Sequence, residues 1–105
     1  MPQDTFALTE AVYYILLSLY SPLHGYGIMQ KVDELSSGRV KLAAGTLYGA
    51  INTMLERGWI KALPGEKSSR KKEYVINPLG KSIVTHELSR LRELITNGEL
   101  IIGGQ

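Results

Sequence analysis

Residues 43–76 constrain the fold most, because they place a helix, a strand, a basic turn and a second strand in direct succession. The apolar residues of 44–57 recur at helical spacing along one face, and Gly58 follows as a stop. Residues 59–63 and 72–76 are rich in β-forming side chains and bracket a Pro-Gly turn, which predicts a hairpin. This order predicts a helix-turn-helix followed by a β-hairpin wing, two parts of a surface suited to the DNA major groove.

Helices are predicted before and after this segment. Thr9 is expected to cap a first helix that ends by Pro22, and a second helix opens at residues 24–25, buries Leu35 and closes at Gly38. Asn77-Pro78 predicts the start of a fourth helix, and Asn97-Gly98 predicts its end. The predicted fold class is mainly α with a small β-hairpin. We expect a winged helix-turn-helix domain with its N-terminal helix at residues 1–77, and a C-terminal dimerisation helix and tail at residues 78–105.

Charge is distributed unevenly along the chain, although the net charge is only +2. Residues 39–81 contain nine Lys and Arg and three Glu, a net charge of +6, whereas the remainder contains three basic and seven acidic residues, a net charge of −4. Such segregation favours a polyanion as the partner of the basic half.

Two helices predict self-association. The first helix is apolar nearly all round, with Tyr13 and Leu17 opposite its main stripe, so it needs cover on both faces. On the last helix, Val84, Leu88, Leu91 and Ile95 follow the spacing of a coiled-coil seam. These six residues are the predicted dimerisation contacts, and the predicted state is a homodimer.

Several classes of protein do not match the sequence. There is no cysteine, His24 and His86 have no partner at metal-ligand spacing, and no catalytic or nucleotide-binding motif occurs. We therefore expect no metal, no cofactor and no enzymatic activity. No apolar run reaches the roughly 20 residues that a bilayer requires, and no signal-peptide pattern opens the chain, so no membrane partner and a cytoplasmic location are expected.

The chain resembles PadR-family transcriptional regulators of the short kind, with a single C-terminal helix. The resemblance is carried by three motifs over roughly residues 8–95: H-G-Y-G-I at residues 24–28, G-T-L-Y-G-A-I-N-T-M-L-E-R-G-W-I at residues 45–60, and S-R-K-K-E-Y-V-I-N-P-L-G at residues 69–80. It implies that Tyr48 contacts the DNA backbone, that Tyr26 and Gly27 lie beside phosphates, and that the basic wing faces DNA. Two departures are Asn77-Pro78 in place of Leu-Thr, and a last helix without the aromatic that lines a drug pocket in some relatives.

The residues expected to contact DNA are Tyr26, Gly27, Lys41, Thr46, Tyr48, Gly49, Asn52, Thr53, Lys67, Arg70, Lys71 and Lys72. The amide of Asn52 suits adenine, and the hydroxyls of Thr46 and Tyr48 suit phosphate. Each position has a structural alternative: a solvated face for Asn52, core packing for Tyr48, and a soluble strand edge for the wing lysines.

The predicted function is a sequence-specific DNA-binding transcriptional regulator, a repressor, acting as a homodimer on a pseudo-palindromic operator. The alternative is an effector-sensing or protein-interaction module that keeps the winged-helix fold without binding DNA. The predicted partners are double-stranded DNA and a second copy of the chain, with a small-molecule effector as an open alternative.

Overall fold

A computed structural model describes residues 7–64 and 72–104. The helices in this part of the chain are α1 (Glu10–Ser18), α2 (Gly25–Leu35), α3 (Ala44–Glu56) and α4 (Pro78–Gly103). The strands are β1 (Leu23–His24), β2 (Ile60–Leu63) and β3 (Glu73–Ile76). The mainly α fold with a β-hairpin is therefore confirmed, and α3 and the two hairpin strands lie within one residue of the predicted ranges.

The sheet contains one strand more than the predicted hairpin. Strand β3 is central and antiparallel to both neighbours, with Ile60 opposite Ile76 and Leu23 opposite Tyr74. Strand β1 is only two residues long, and so short a segment has no alternation of polar and apolar side chains for sequence reasoning to detect. It attaches the start of α2 to the base of the wing.

One apolar core joins the helices to the sheet. Each helix contributes side chains that are at most 4% exposed, as does Ile60 of β2. Trp59, between α3 and the hairpin, is 8% exposed and packs in this core. The backbone N–H of Ile76 donates to the carbonyl of Leu19 at 2.8 Å, which fixes the base of the wing to the end of α1.

The predicted helix ends are made by local polar contacts and left-handed residues. The backbone N–H of Val12 donates to Thr9 Oγ1 at 3.1 Å, and that of Gly80 donates to Asn77 Oδ1 at 3.3 Å. Gly38 and Gly58 follow α2 and α3 with φ of 81° and 75°, a conformation that glycine adopts without steric cost.

Three predictions about the helices need correction. Helix α4 passes through Asn97-Gly98 and continues to Gly103, because the good helix formers after Gly98 outweigh a glycine cost of about 1 kcal/mol. Val84 is 4% exposed and packs in the core of its own chain, so it cannot be a contact between chains. Leu35 is 41% exposed rather than buried, because it lies in the last turn of α2, where the chain leaves the core.

No helix within residues 7–64 and 72–104 is long and apolar enough to cross a membrane.

Candidate nucleic-acid interface

Helix α3 separates its residues into a buried and an exposed face. Leu47, Ile51 and Met54 are at most 1% exposed and anchor the helix in the core. The opposite face carries the predicted contact residues that α3 contributes, all of them exposed: Thr46, Tyr48, Gly49, Asn52 and Thr53. A helix of 13 residues, about 20 Å long, thus presents an open polar face of the width that a major groove accepts.

The two glycines of that face leave open space in front of the helix. A Cβ atom built on Gly45 or Gly49 would have no heavy atom within 4 Å, apart from its chain neighbours and the backbone of its own helix. Internal packing therefore gives no reason for glycine at these positions. The missing side chains let another molecule approach the helix backbone closely.

Tyr48 connects α3 to the start of α2. It is 45% exposed, so it is not a core residue, and its hydroxyl lies over Gly25 of α2. A Cβ added to Gly25 would be only 2.1 Å from the Tyr48 hydroxyl oxygen. Burial and, secondarily, the neighbouring Tyr48 raise the pKa of Tyr74 on β3. Tyr48 is therefore placed at the junction of α2, α3 and the wing strand.

The start of α2 is suited to an anion. The first turn, residues 25–28, has no acidic side chain, and the His24 side chain makes no capping hydrogen bond. The first backbone N–H groups of an α-helix have no partner within the helix and carry its positive end. Tyr26 in this turn is 61% exposed, and the Tyr48 hydroxyl lies over the adjacent Gly25. The arrangement can bind a phosphate oxygen by backbone and hydroxyl donors.

Gly27 has a structural role next to this turn. A Cβ added there would be 2.7 Å from Leu23 Cδ1 on β1, so glycine permits the close contact between α2 and β1. Its predicted contact with phosphate stays a prediction.

Part of the basic segment is neutralised by acids from outside it. Arg39 pairs with Glu10 at the start of α1, and Lys41 Nζ lies 3.2 Å from Asp33 Oδ2 on α2. The hydrogen bond from Arg39 holds the pKa of Glu10 below its ordinary value. Both pairs are exposed, so each contributes little to stability and can open when a phosphate competes.

The described part of the wing contains Lys72, which is exposed directly before β3. Lys67, Arg70 and Lys71, the other predicted wing contacts, lie outside the described residues. Thr53 Oγ1 donates to the carbonyl of Gly49 at 3.2 Å, so the hydroxyl proton of Thr53 is used within its own helix. The side-chain amide of Asn52 therefore remains the better candidate for a base contact on this face.

The remaining predicted dimerisation residues lie at the surface or partly so. Tyr13, Leu17 and Leu91 are half-buried, whereas Leu88 and Ile95 are exposed. This surface continues along α4 beyond the predicted residues, where Leu94, Leu100, Ile101 and Ile102 are also exposed. Their apolar character was the available signal, and the predicted helix stop at Gly98 obscured it.

A cavity of about 400 Å³ lies where α1 meets α4. Its lining includes Tyr13 and Tyr14 of α1, and Glu87 and Arg90 of α4. Glu87 is only 4% exposed and accepts two hydrogen bonds from Arg90, at 2.9 and 2.6 Å. These bonds hold the pKa of Glu87 below its usual value against the opposing effect of burial. Among the described residues no cluster of three or more side chains is arranged to bind a metal ion.

The comparisons with known proteins agree with this architecture. The family model described as "Transcriptional regulator PadR-like family" matches residues 14–86. The structure is similar to that of a PadR family transcription regulator from hypervirulent Clostridium difficile R20291, with a TM-score of 0.73 at 20% identity, covering 89% of this chain and 97% of that one. It is also similar to RosR of H. salinarum, with a TM-score of 0.70 at 20% identity and 96% of each chain covered.

A curated relative is the "Uncharacterized 37.1 kDa protein in transposon TN4556" of Streptomyces fradiae, 29% identical over 73 residues. The match covers 70% of this chain but about 20% of the length of that protein.

Proposed function

Because the chain belongs to the PadR-like family of transcriptional regulators, we propose that it regulates transcription by binding duplex DNA as a homodimer. The operator is a pseudo-palindrome, and the protein acts as a repressor by occupying it. Helix α3 enters the major groove, and the wing contacts the adjacent backbone. This role also predicts a cytoplasmic location, because the DNA that such a regulator binds is there.

The exposed face of α3 is the observation that carries this proposal. Its side chains are polar, it has two glycines facing open space, and it is held rigidly by three fully buried residues on the opposite side. Asn52 then reads a base edge, because its amide pairs in two places with adenine. Tyr48 and the first turn of α2 hold phosphates, which fixes the position of α3 on the duplex.

A homodimer explains why a small domain with this candidate interface also carries a long helix, α4, with exposed apolar side chains. Two recognition helices related by a two-fold axis match the symmetry of a palindrome when they are about 34 Å apart. Helices α1 and α4 carry the apolar residues suited to set that separation, so a change in their packing alters the affinity for DNA.

A gel-shift titration against the promoter of the protein's own gene, repeated over a series of salt concentrations, tests the proposal. Each phosphate neutralised contributes about −0.9 to the slope of log K against log salt concentration. Lys72→Ala removes one cation per chain, so we expect weaker binding to every duplex and a slope shallower by about 2 for the dimer. Asn52→Ala is expected to weaken binding to the promoter while sparing binding to unrelated duplexes.

Ser89→Ala provides the control, since Ser89 is an exposed polar residue on α4 that belongs neither to the candidate interface nor to the predicted dimerisation residues. It should bind like the wild type. A flat salt dependence of the wild type, or equal binding by all four proteins, would count against DNA recognition by this surface.

One observation favours the alternative, an effector-sensing module. The cavity between α1 and α4 is lined by two aromatic rings with centroids 6.4 Å apart and by the ion pair between the buried Glu87 and the half-buried Arg90. A planar molecule with a polar edge suits these walls. A wild-type protein that fails to shift DNA at low salt would favour this alternative.

A further inference from the structure

Helix α4 extends far beyond the core. It has 26 residues, a length of about 39 Å, yet its buried residues, Gly80, Val84 and Glu87, all lie in its first half. The second half carries large apolar side chains on its surface: Leu94 is 53% exposed, Ile95 60% and Ile102 72%. An exposed apolar helix of this length is typical of an interface.

The exposed residues continue the spacing of the seam through the glycine. Leu88, Ile95 and Ile102 occupy one heptad position, called a, and Leu91 and Gly98 occupy the other, called d. A Cβ added to Gly98 would have no heavy atom within 4 Å, apart from its chain neighbours and the backbone of its own helix. An open notch of about 480 Å³, lined by Ile95, Gly98, Glu99, Ile102 and Gly103, marks this point.

We propose that residues 91–102 of α4 pair with the same residues of a second copy in antiparallel direction, centred between Thr96 and Asn97. In this register Ile95 of each chain faces Gly98 of the partner subunit, so that the isoleucine side chain fills the notch at the glycine. Leu91 faces Ile102 of the partner subunit. The two-fold axis makes each contact twice.

Two exposed charges select this register. Arg92 and Glu99 both occupy the heptad position, called e, that follows the seam, and neither has an opposite charge three or four residues away on its own helix. When two helices run in opposite directions their e positions face each other. In the proposed register Arg92 of each chain therefore faces Glu99 of the partner subunit.

The neighbouring antiparallel registers are disfavoured by the same charges. A shift by one heptad in one direction would bring the two Arg92 side chains together, and a shift in the other direction would bring the two Glu99 side chains together. Like charges directly opposed are repulsive. A parallel pairing would place Leu94 beside Glu99 of the partner subunit and Gly98 opposite glycine, which fills no space.

The proposal rests on the homodimer of the proposed function but not on DNA binding. Its test uses the two single charge reversals Arg92→Glu and Glu99→Arg, measured by sedimentation at low salt. Each variant alone replaces two attractive pairs by two repulsive ones, so we expect dimer dissociation constants at least about tenfold weaker than the wild type. Glu93→Arg, an equal change of charge at an exposed site on the same helix, should leave the constant unchanged.

Sedimentation of an equimolar mixture of the two variants is the decisive experiment. In a heterodimer both facing pairs are again opposite in charge, so the mixture should dimerise as tightly as the wild type. Failure of the mixture to recover, or unweakened dimers of both single variants, would overturn the register while leaving the homodimer intact. A wild-type protein that sediments as a monomer would overturn the register and the homodimer, whereas the gel shift judges DNA binding separately.

Discussion

At the scale of single residues, Tyr48 is the side chain that links the recognition helix to its neighbours. Its ring leaves α3 at the edge of the buried stripe, and its hydroxyl lies over Gly25 at the start of α2. Core packing was the structural alternative for Tyr48, and the structure shows its side chain to be 45% exposed. A phenol in this place is available to a phosphate without being required by the core.

Tyr48→Phe should weaken binding to the operator about tenfold, because one hydrogen bond to a charged phosphate is lost. The melting temperature should change little, since the ring stays in place and the hydroxyl is not a core contact. Fluorescence anisotropy with labelled duplex, together with a thermal melt, makes both measurements. Operator affinity equal to that of the wild type would contradict the assigned role.

Gly49→Ala should separate stability from binding. Alanine stabilises the interior of a helix by up to about 1 kcal/mol relative to glycine, and the space around Gly49 is open. The added methyl group, however, projects from the face that we place in the groove, so DNA affinity should fall about tenfold. Urea unfolding and gel shift test the two effects. A variant that gains stability and keeps its affinity for DNA would contradict the placement of α3 in the major groove.

At the scale of elements, the start of α4 depends on a close approach to the hairpin. A Cβ on Gly80 would be 2.2 Å from the carbonyl oxygen of Trp59 and 2.7 Å from Ile76 Cγ1. The backbone at Trp59, directly before β2, cannot move away readily, because the N–H of Asn77 donates to this same Trp59 carbonyl at 3.0 Å. Gly80 thus lets α4 begin directly on the base of the wing.

Gly80→Ala should lower the free energy of unfolding by about 1–3 kcal/mol, the typical cost of overpacking. Helix propensity alone predicts the opposite sign, a gain of about 1 kcal/mol. Urea unfolding decides between the two effects, and Gly49→Ala is the matched glycine substitution in open space. Equal effects of the two substitutions would contradict the close contact at Trp59.

The ion pair between Glu87 and Arg90 within α4 predicts a pH dependence. The folded-state pKa of Glu87 is lower than the unfolded value, chiefly because of Arg90 and further because of the backbone N–H of Leu8. The ionised carboxylate therefore stabilises the fold above the unfolded pKa of about 4.3, and this stabilisation is lost as the pH falls through the folded pKa.

Glu87→Gln should consequently be less stable than the wild type by about 1–3 kcal/mol at pH 7. The difference should shrink as both proteins are unfolded at successively lower pH below about 5. Glu93→Gln, at an exposed glutamate of the same helix, should change stability little at any pH. A difference for Glu87→Gln that stays constant down to pH 3 would contradict the ionic contribution.

The same elements indicate how far sequence reasoning reaches. Capping residues and periodicity sufficed for the helix starts at Glu10 and Pro78, and for α3, because these signals are local. Strand β1 and the burial of Val84 depend on contacts between distant segments, which no local pattern encodes. The stop predicted at Gly98 was wrong because a glycine cost of about 1 kcal/mol does not by itself end a long helix.

At the scale of the whole molecule, charge and symmetry act together. Pairing of Arg39 with Glu10 and of Lys41 with Asp33 makes the basic segment less cationic than its composition suggests. The wing and the first turn of α2 therefore carry more of the proposed phosphate binding than a count of lysines implies. A two-fold dimer presents two such surfaces, which multiplies the affinity only when both half-sites are engaged together.

Selection of bound duplexes from a random pool by the wild-type protein tests the central claim most directly. We expect enrichment of an inverted repeat whose half-site centres are about 10–10.5 base pairs apart, or a multiple of this spacing. Enrichment of half-sites in direct orientation, or recovery of a pool with no shared sequence, would contradict it.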